Sequence, residues 1–163
     1  MIRQILQKED AVLHKVCHPV TKFDKKLAAL LDDLTETLKE SGGMGLAAPQ
    51  VGILRRVCIV LDEDDGNYLE LVNPEIVHQE GEQEGFEGCL SFTGMYGMVK
   101  RPMDVTVKAQ DRRGNPVEFH RSGMTARCFC HEIEHMDGHM YYEKVEGRLF
   151  TEEEVEKILN EKK

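Results

Sequence analysis

The stretch His131-Glu-Ile-Glu-His135 sets two imidazoles four residues apart, with a carboxylate directly after the first. On a helix, residues four apart lie one above the other on one face, so both rings can reach a single metal ion. Glu132 then stands beside that ion, placed to exchange protons with a bound water. A helix rich in His and Glu can match five residues by chance, so the pattern alone leaves a metal site and a solvated surface helix both open. Two His ligands also leave zinc or iron short of a third protein ligand.

Three sources of that ligand compete. A third His after a Gly turn would complete HExxHxxGxxH, but the required position is Tyr141 and His139 falls two residues early. A downstream carboxylate is the second source: Glu143 and Glu146 are near, and Glu152, Glu153 and Glu154 follow, although these last read more simply as the acidic start of a helix. The third source is a Cys, whose thiolate donates strongly to a soft or borderline metal. Cys89 sits in Glu87-Gly-Cys-Leu-Ser91, where Gly88 would let the backbone approach a ligand closely. Cys128 lies three residues before His131 on the same helical face and reads as core, while Cys130 lies about 100° around the helix and points elsewhere. A closed structural site of Cys89, Cys128, His131 and His135 would make a binding module without catalysis, because no coordination position would remain open.

The 163 residues suit one domain with one hydrophobic core, expected to span 1–163. The longest apolar runs, such as Val57-Cys-Ile-Val-Leu61, are far short of the roughly 20 residues a membrane span needs. Met1-Ile-Arg-Gln lacks the apolar core of a secretory signal, so a cytoplasmic protein without membrane attachment is expected. A net charge of −9 argues against direct nucleic-acid binding, which needs clustered Lys and Arg. The five cysteines have no disulfide-framework spacing and are expected reduced.

Several elements must position these groups. Leu27, Leu30, Leu31, Leu34 and Leu38 follow the helical period over 24–40, with Asp24 as cap and Gly42-Gly43 as stop. Arg56–Leu61 and Tyr68–Val72 read as strands, the second ended by Asn73-Pro74. Val105, Val107 and Ala109 alternate in a half-buried strand within 98–110, and Arg112–Pro116 turns into Val117–His120. A second helix over 123–137 carries the His-Glu pattern, and Thr151-Glu-Glu-Glu154 opens a short C-terminal helix as a capping box. The predicted class is α+β, with mainly antiparallel strands packed around a central helix carrying HExxH.

Gly43-Met-Gly-Leu-Ala-Ala-Pro-Gln50 adds a backbone against which another chain could lie, ending in an amide that can donate to a carbonyl oxygen. With this segment the chain resembles the peptide deformylase family. That family is similar in three separated motifs: G-hydrophobic-G-hydrophobic-A-A-x-Q at Gly43–Gln50, EGCLS at Glu87–Ser91, and QHExDH, met as Cys130-His-Glu-Ile-Glu-His135. Val12–Asp24 and the tract from Val99-Lys-Arg-Pro102 look like the family's corresponding segments.

The resemblance implies a metal-dependent hydrolase that removes the N-formyl group from the initiator Met of new polypeptides and releases formate. It implies Cys89, His131 and His135 as metal ligands and Glu132 as general acid/base. Gln50 and the backbone N–H of Leu90 would steady the oxyanion, Gly45 would contact the substrate backbone, and Met44 would line the pocket for its first side chain. The implied metal is Fe²⁺, with Zn²⁺, Ni²⁺ or Co²⁺ able to substitute. The expected partners are formyl-Met nascent polypeptides, met by a monomer. Some family members contact the ribosome through a basic C-terminal helix, a transient contact to which the Glu-rich segment before Lys162-Lys163 gives little support.

Three departures from the family pattern stand out. Cys130 replaces Gln, Glu134 replaces Asp, and Thr93 stands where Pro is common. Glu134 is expected to pair with Arg101 behind the metal site, and Thr93 to leave the loop after Cys89 less rigid.

Overall fold

Helix α1 spans Lys25–Ser41, capped by the Asp24 carboxylate accepting from the Leu27 N–H and closed by Gly42 in the left-handed region. The structure, a computed structural model, describes residues 1–162. Eight strands follow the chain: β1 Gly45–Ala47, β2 Val57–Leu61, β3 Tyr68–Glu80, β4 Gln83–Cys89, β5 Phe92–Arg101, β6 Asp104–Gln110, β7 Pro116–Ser122 and β8 Glu146–Thr151. Helix α2 is Gly123–Met136, and α3 is Glu152–Glu161. Five strands pair in the order β1-β2-β3-β6-β7 and three in the order β4-β5-β8, every pair antiparallel. The α+β class with antiparallel sheets is therefore borne out.

The five-stranded sheet is the middle of a three-layer stack, and β2 explains why. Cys58 and Val60 pack with Phe129, Ile133 and Met136 of α2, whereas Val57 and Ile59 pack with the Leu stripe of α1. A strand covered on both faces has no polar side to show, so its sequence is a continuous apolar run rather than an alternation. The Leu stripe is fully buried or nearly so. The capping box at Thr151 forms as expected, with its hydroxyl accepting from the Glu154 N–H. Among the described residues no helix is long and apolar enough to cross a membrane. Lys163, the last residue of the C-terminal segment, lies outside the described residues.

Two strand boundaries differ from expectation. Asn73-Pro74 does not end β3. Its register against β6 slips between Val72 and Glu75, so the pair is absorbed as a bulge and the strand continues to Glu80. Asn73 takes φ 51°, which an Asn tolerates better than most residues. Its side chain accepts from the Val20 N–H at 2.8 Å and donates to the Val20 carbonyl at 2.9 Å, stapling the N-terminal segment to the sheet. The tract 98–110 is two strands, because Pro102 interrupts it: 98–101 closes β5, and β6 starts at Asp104. The β4–β5 hairpin, unpredicted before Met98, carries Cys89 at its tip.

Asn73→Ala removes both the left-handed tolerance and the staple. A loss of about 2–4 kcal/mol in urea unfolding is expected, with activity per folded molecule retained. A loss below about 1 kcal/mol would show that the bulge is indifferent to its residue.

Candidate active site

Helix α2 carries Arg127, His131, Glu132 and His135, all buried. Opposite it, the β4–β5 tip brings Cys89, half-buried. The Cys89 Sγ lies 3.3 Å from His135 Nε2, and His135 Nε2 lies 3.1 Å from His131 Nε2. Cys89, His131 and His135 form the one group of three metal-donor side chains among the described residues, their ligand atoms within 4.8 Å of one another. None of the other candidates joins this group, although Cys128 and Glu152 line the same cleft. Cys128 is buried in the core, where burial pushes its thiol well above the usual range. Glu143 accepts from the Met140 N–H, Glu146 pairs with Lys100, and the Glu154 carboxylate accepts from the Thr151 N–H and pairs with Arg148. Tyr141, at the third-His position, stacks at 20° on the His131 ring, 6.0 Å away.

Glu87 holds this arrangement in place. Its side chain is 4 % exposed. Arg101 donates to both of its oxygens at 2.8 and 2.9 Å, Arg127 donates at 2.7 Å, and His131 Nδ1 lies 2.8 Å away. Burial works against its charge, but the Arg101 and His131 hydrogen bonds overcome it and hold the carboxyl far below the usual range. Engaging Nδ1 leaves Nε2 of His131 facing Cys89 and His135, the orientation a carboxylate imposes on a metal-binding imidazole. The motif letters contained Glu87, yet sequence reasoning gave it no role. The available signal was Arg127 one turn before His131 on the same face.

Arg101 also donates to Glu134 at 2.7 Å, as expected. Glu134 has a second partner in Lys144, at 2.5 Å. The two residues of the pair are therefore not equivalent: Arg101 is committed to Glu87 as well, and its loss costs more.

The donor set fits a divalent cation. His135 is held neutral, well below its usual pKa, first by burial and then by His131. Around His131 burial opposes positive charge, but Glu132, Cys89 and Glu87 outweigh it, so the surroundings favour a cation. Glu132 Oε1 and His135 Nδ1 are buried without a protein partner. Burial pushes the Glu132 carboxyl up to about 7 against the opposing pull of His131.

An open cleft of about 540 Å³ leads to these groups, lined by Met44, Gly45, Gln50, Leu90, His131 and Glu132 among others. Gln50 is buried. Its Oε1 accepts from the Ala47 N–H at 2.9 Å, and its Nε2 donates to Ser91 Oγ at 3.1 Å and reaches Cys89 Sγ at 3.6 Å. Gly45 has a reason beyond any substrate: a Cβ there would lie 2.6 Å from Glu132 Oε2. Gly88 has a further reason, because a Cβ there would lie 2.5 Å from the Tyr96 ring.

Fold and site together define a small hydrolase-like domain whose open cleft carries a Cys-His-His cluster able to hold a metal ion. A family model for polypeptide deformylase matches residues 2–149. A peptide deformylase of Caldicellulosiruptor bescii is 48% identical, over 95% of this chain and 92% of that protein. The crystal structure of a peptide deformylase from Legionella pneumophila superposes with a TM-score of 0.85 at 42% identity, over 90% of this chain and 87% of that one. The Thermotoga maritima peptide deformylase gives 0.86 at 34% identity, over 90% and 99%. The chain belongs to the polypeptide deformylase family. It is an enzyme, a hydrolase that removes the N-formyl group from the N-terminal formyl-methionine of new proteins and releases formate.

Glu87→Gln leaves Arg101 and Arg127 without their shared counter-charge. A loss of about 3–5 kcal/mol is expected at pH 7. Glu87 is more acidic in the fold than in the unfolded chain. Its contribution is therefore complete above the unfolded value near ~4.3 and is lost as pH falls through the folded value. The parent's advantage over Glu87→Gln should shrink in acid unfolding below that point, and an advantage that grew there would contradict the pairing.

Proposed function

We propose that residues 1–163 form one deformylase domain with α2 as its central helix, and that Cys89, His131 and His135 are its metal ligands. The observation that carries this is the convergence of one thiol and two imidazole nitrogens beside a buried carboxylate with an unpartnered oxygen. A divalent ion held there supplies Lewis acidity and brings the pKa of water from ~16 toward ~7. We take the ion to be Fe²⁺ in the cell, with Zn²⁺, Ni²⁺ or Co²⁺ able to occupy the same donors; one thiolate and two imidazoles suit all four.

Glu132 accepts the proton of the attacking water and later delivers it to the leaving amine. A carboxyl whose pKa lies near the working pH can do both, and such a group contributes about 10²–10⁴ in rate. The Gln50 amide and the Leu90 N–H donate to the oxyanion of the tetrahedral intermediate. One such donor is worth roughly 3 kcal/mol. Gly45 meets the substrate backbone on the strand that also makes space for Glu132, and Met44 lines the pocket for the methionine side chain. The partners are nascent formyl-Met polypeptides met transiently in the cytoplasm by a monomer, with no membrane attachment. The charge of −9 argues against direct nucleic-acid contact and, with the Glu-rich start of α3, against a lasting hold on the ribosome.

The test is formate release from formyl-Met-Ala-Ser by protein purified without oxygen, with iron and zinc forms compared. Turnover in the iron form is expected to exceed that of the zinc form; equal or reversed rates would reject iron as the working metal. Glu132→Gln is expected to keep the metal and lose at least ~10²-fold in kcat. Activity within about tenfold of the parent would remove Glu132 from proton transfer. Cys89→Ala is expected to release the metal, and a variant that retained it stoichiometrically would overturn the ligand assignment.

A further inference from the structure

We propose that Gln7, on the N-terminal segment, is a positioning residue that fixes the loop carrying the Leu90 oxyanion donor. Gln7 is exposed, yet both ends of its amide are engaged. Its Nε2 donates to the Leu90 carbonyl at 3.0 Å, and its Oε1 accepts from the Thr93 N–H at 3.3 Å and the Thr93 hydroxyl at 3.1 Å. A free surface glutamine samples many rotamers, so one amide bridging two sites of a loop from 83 residues away is a specific device.

The neighbours of Gln7 act on the same region. The Leu6 N–H donates to the Gln50 carbonyl at 2.8 Å, and the Lys8 ammonium sits over the Phe92 ring at 5.1 Å. The chain between Ile5 and Lys8 thus grips both segments that bear oxyanion donors: Gln50 through its backbone, and the Cys89–Thr93 tip through Gln7. Ile5 anchors the grip in the α1 core. The Leu90 carbonyl belongs to the peptide unit that follows the proposed donor N–H, so holding it limits rotation of that N–H away from the reacting carbonyl. Electrostatic stabilisation of this kind depends on donors set in place before charge develops. Thr93, whose hydroxyl and N–H both reach Gln7, supplies this loop with an anchoring point.

This rests on the reading of Gln50 and Leu90 as oxyanion donors. The experiment therefore measures Gln50→Leu beside Gln7→Met in the metal-loaded enzyme. Readouts are kcat and KM for formyl-Met-Ala-Ser, metal content, and the Ki values of the product Met-Ala-Ser and of a peptide with a tetrahedral phosphonate in place of the formyl group. Gln7→Met is expected to lower kcat three- to tenfold and to raise the phosphonate Ki by the same factor, with KM, metal content and product Ki within twofold. Gln7→Glu should lose as much, because it keeps acceptors for Thr93 but sets a carboxylate against the Leu90 carbonyl. If Gln50→Leu is harmless, the donor assignment itself falls and the proposal with it. If Gln50→Leu is impaired while Gln7→Met keeps kcat within twofold, or loses it only through metal loss or KM, the role assigned to Gln7 is wrong.

Discussion

A single buried carboxylate, Glu87, is the constraint on which the site depends. It faces two guanidiniums and one imidazole, drawn from β5 and α2. A lone carboxylate at this depth would be prohibitive, and only a dense set of charged donors makes it tolerable. That requirement docks the β4–β5 hairpin against α2 in one register. Cys89 lies two residues beyond Glu87 on the same strand, so the docking delivers the thiol to the histidines. The ion network thus contributes specificity of placement more than net stability.

Close approach is the second constraint. Glu132 can sit buried beside the cluster only because β1 passes it at Gly45, where any side chain would collide with the carboxylate. The hairpin similarly folds over itself at Gly88, against Tyr96. The departures from the family pattern leave this geometry intact. Cys130 packs in the core, where burial raises its thiol to about 11. Glu134 reaches Arg101 despite its extra methylene and gains Lys144 besides.

Much of this was legible in the sequence where a periodicity or a cap had one physical reading. The Leu stripe of α1, the doubly buried run of β2, the capping box of α3 and the helical spacing of His131 and His135 are such cases. The hairpin bearing Cys89 was not, because Gln83–Cys89 alternates no apolar face: its glycines and charges are chosen for Tyr96, Arg127 and Arg101 rather than for solvent or core. The bulge at Asn73 was also hidden, since an Asn-Pro pair ends a strand on local grounds, while hydrogen bonds of Asn73 with Val20, Gln110 and Arg56 keep it running. Arg101–Glu134 was foreseen and Arg101–Glu87 was not. Charge and reach suggest partners, but which carboxylate is buried emerges only when strands and helix are packed together.

Packing driven by Glu87 should yield a centre of one sulfur and two imidazole nitrogens, with Cys128 left in the core. X-ray absorption at the metal edge of the loaded enzyme tests it directly, because sulfur and nitrogen shells separate in distance, at about 2.3 Å and 2.0–2.1 Å for zinc. One sulfur per metal ion is expected. Two sulfurs would mean that Cys128 is recruited into a closed structural site, and would contradict it.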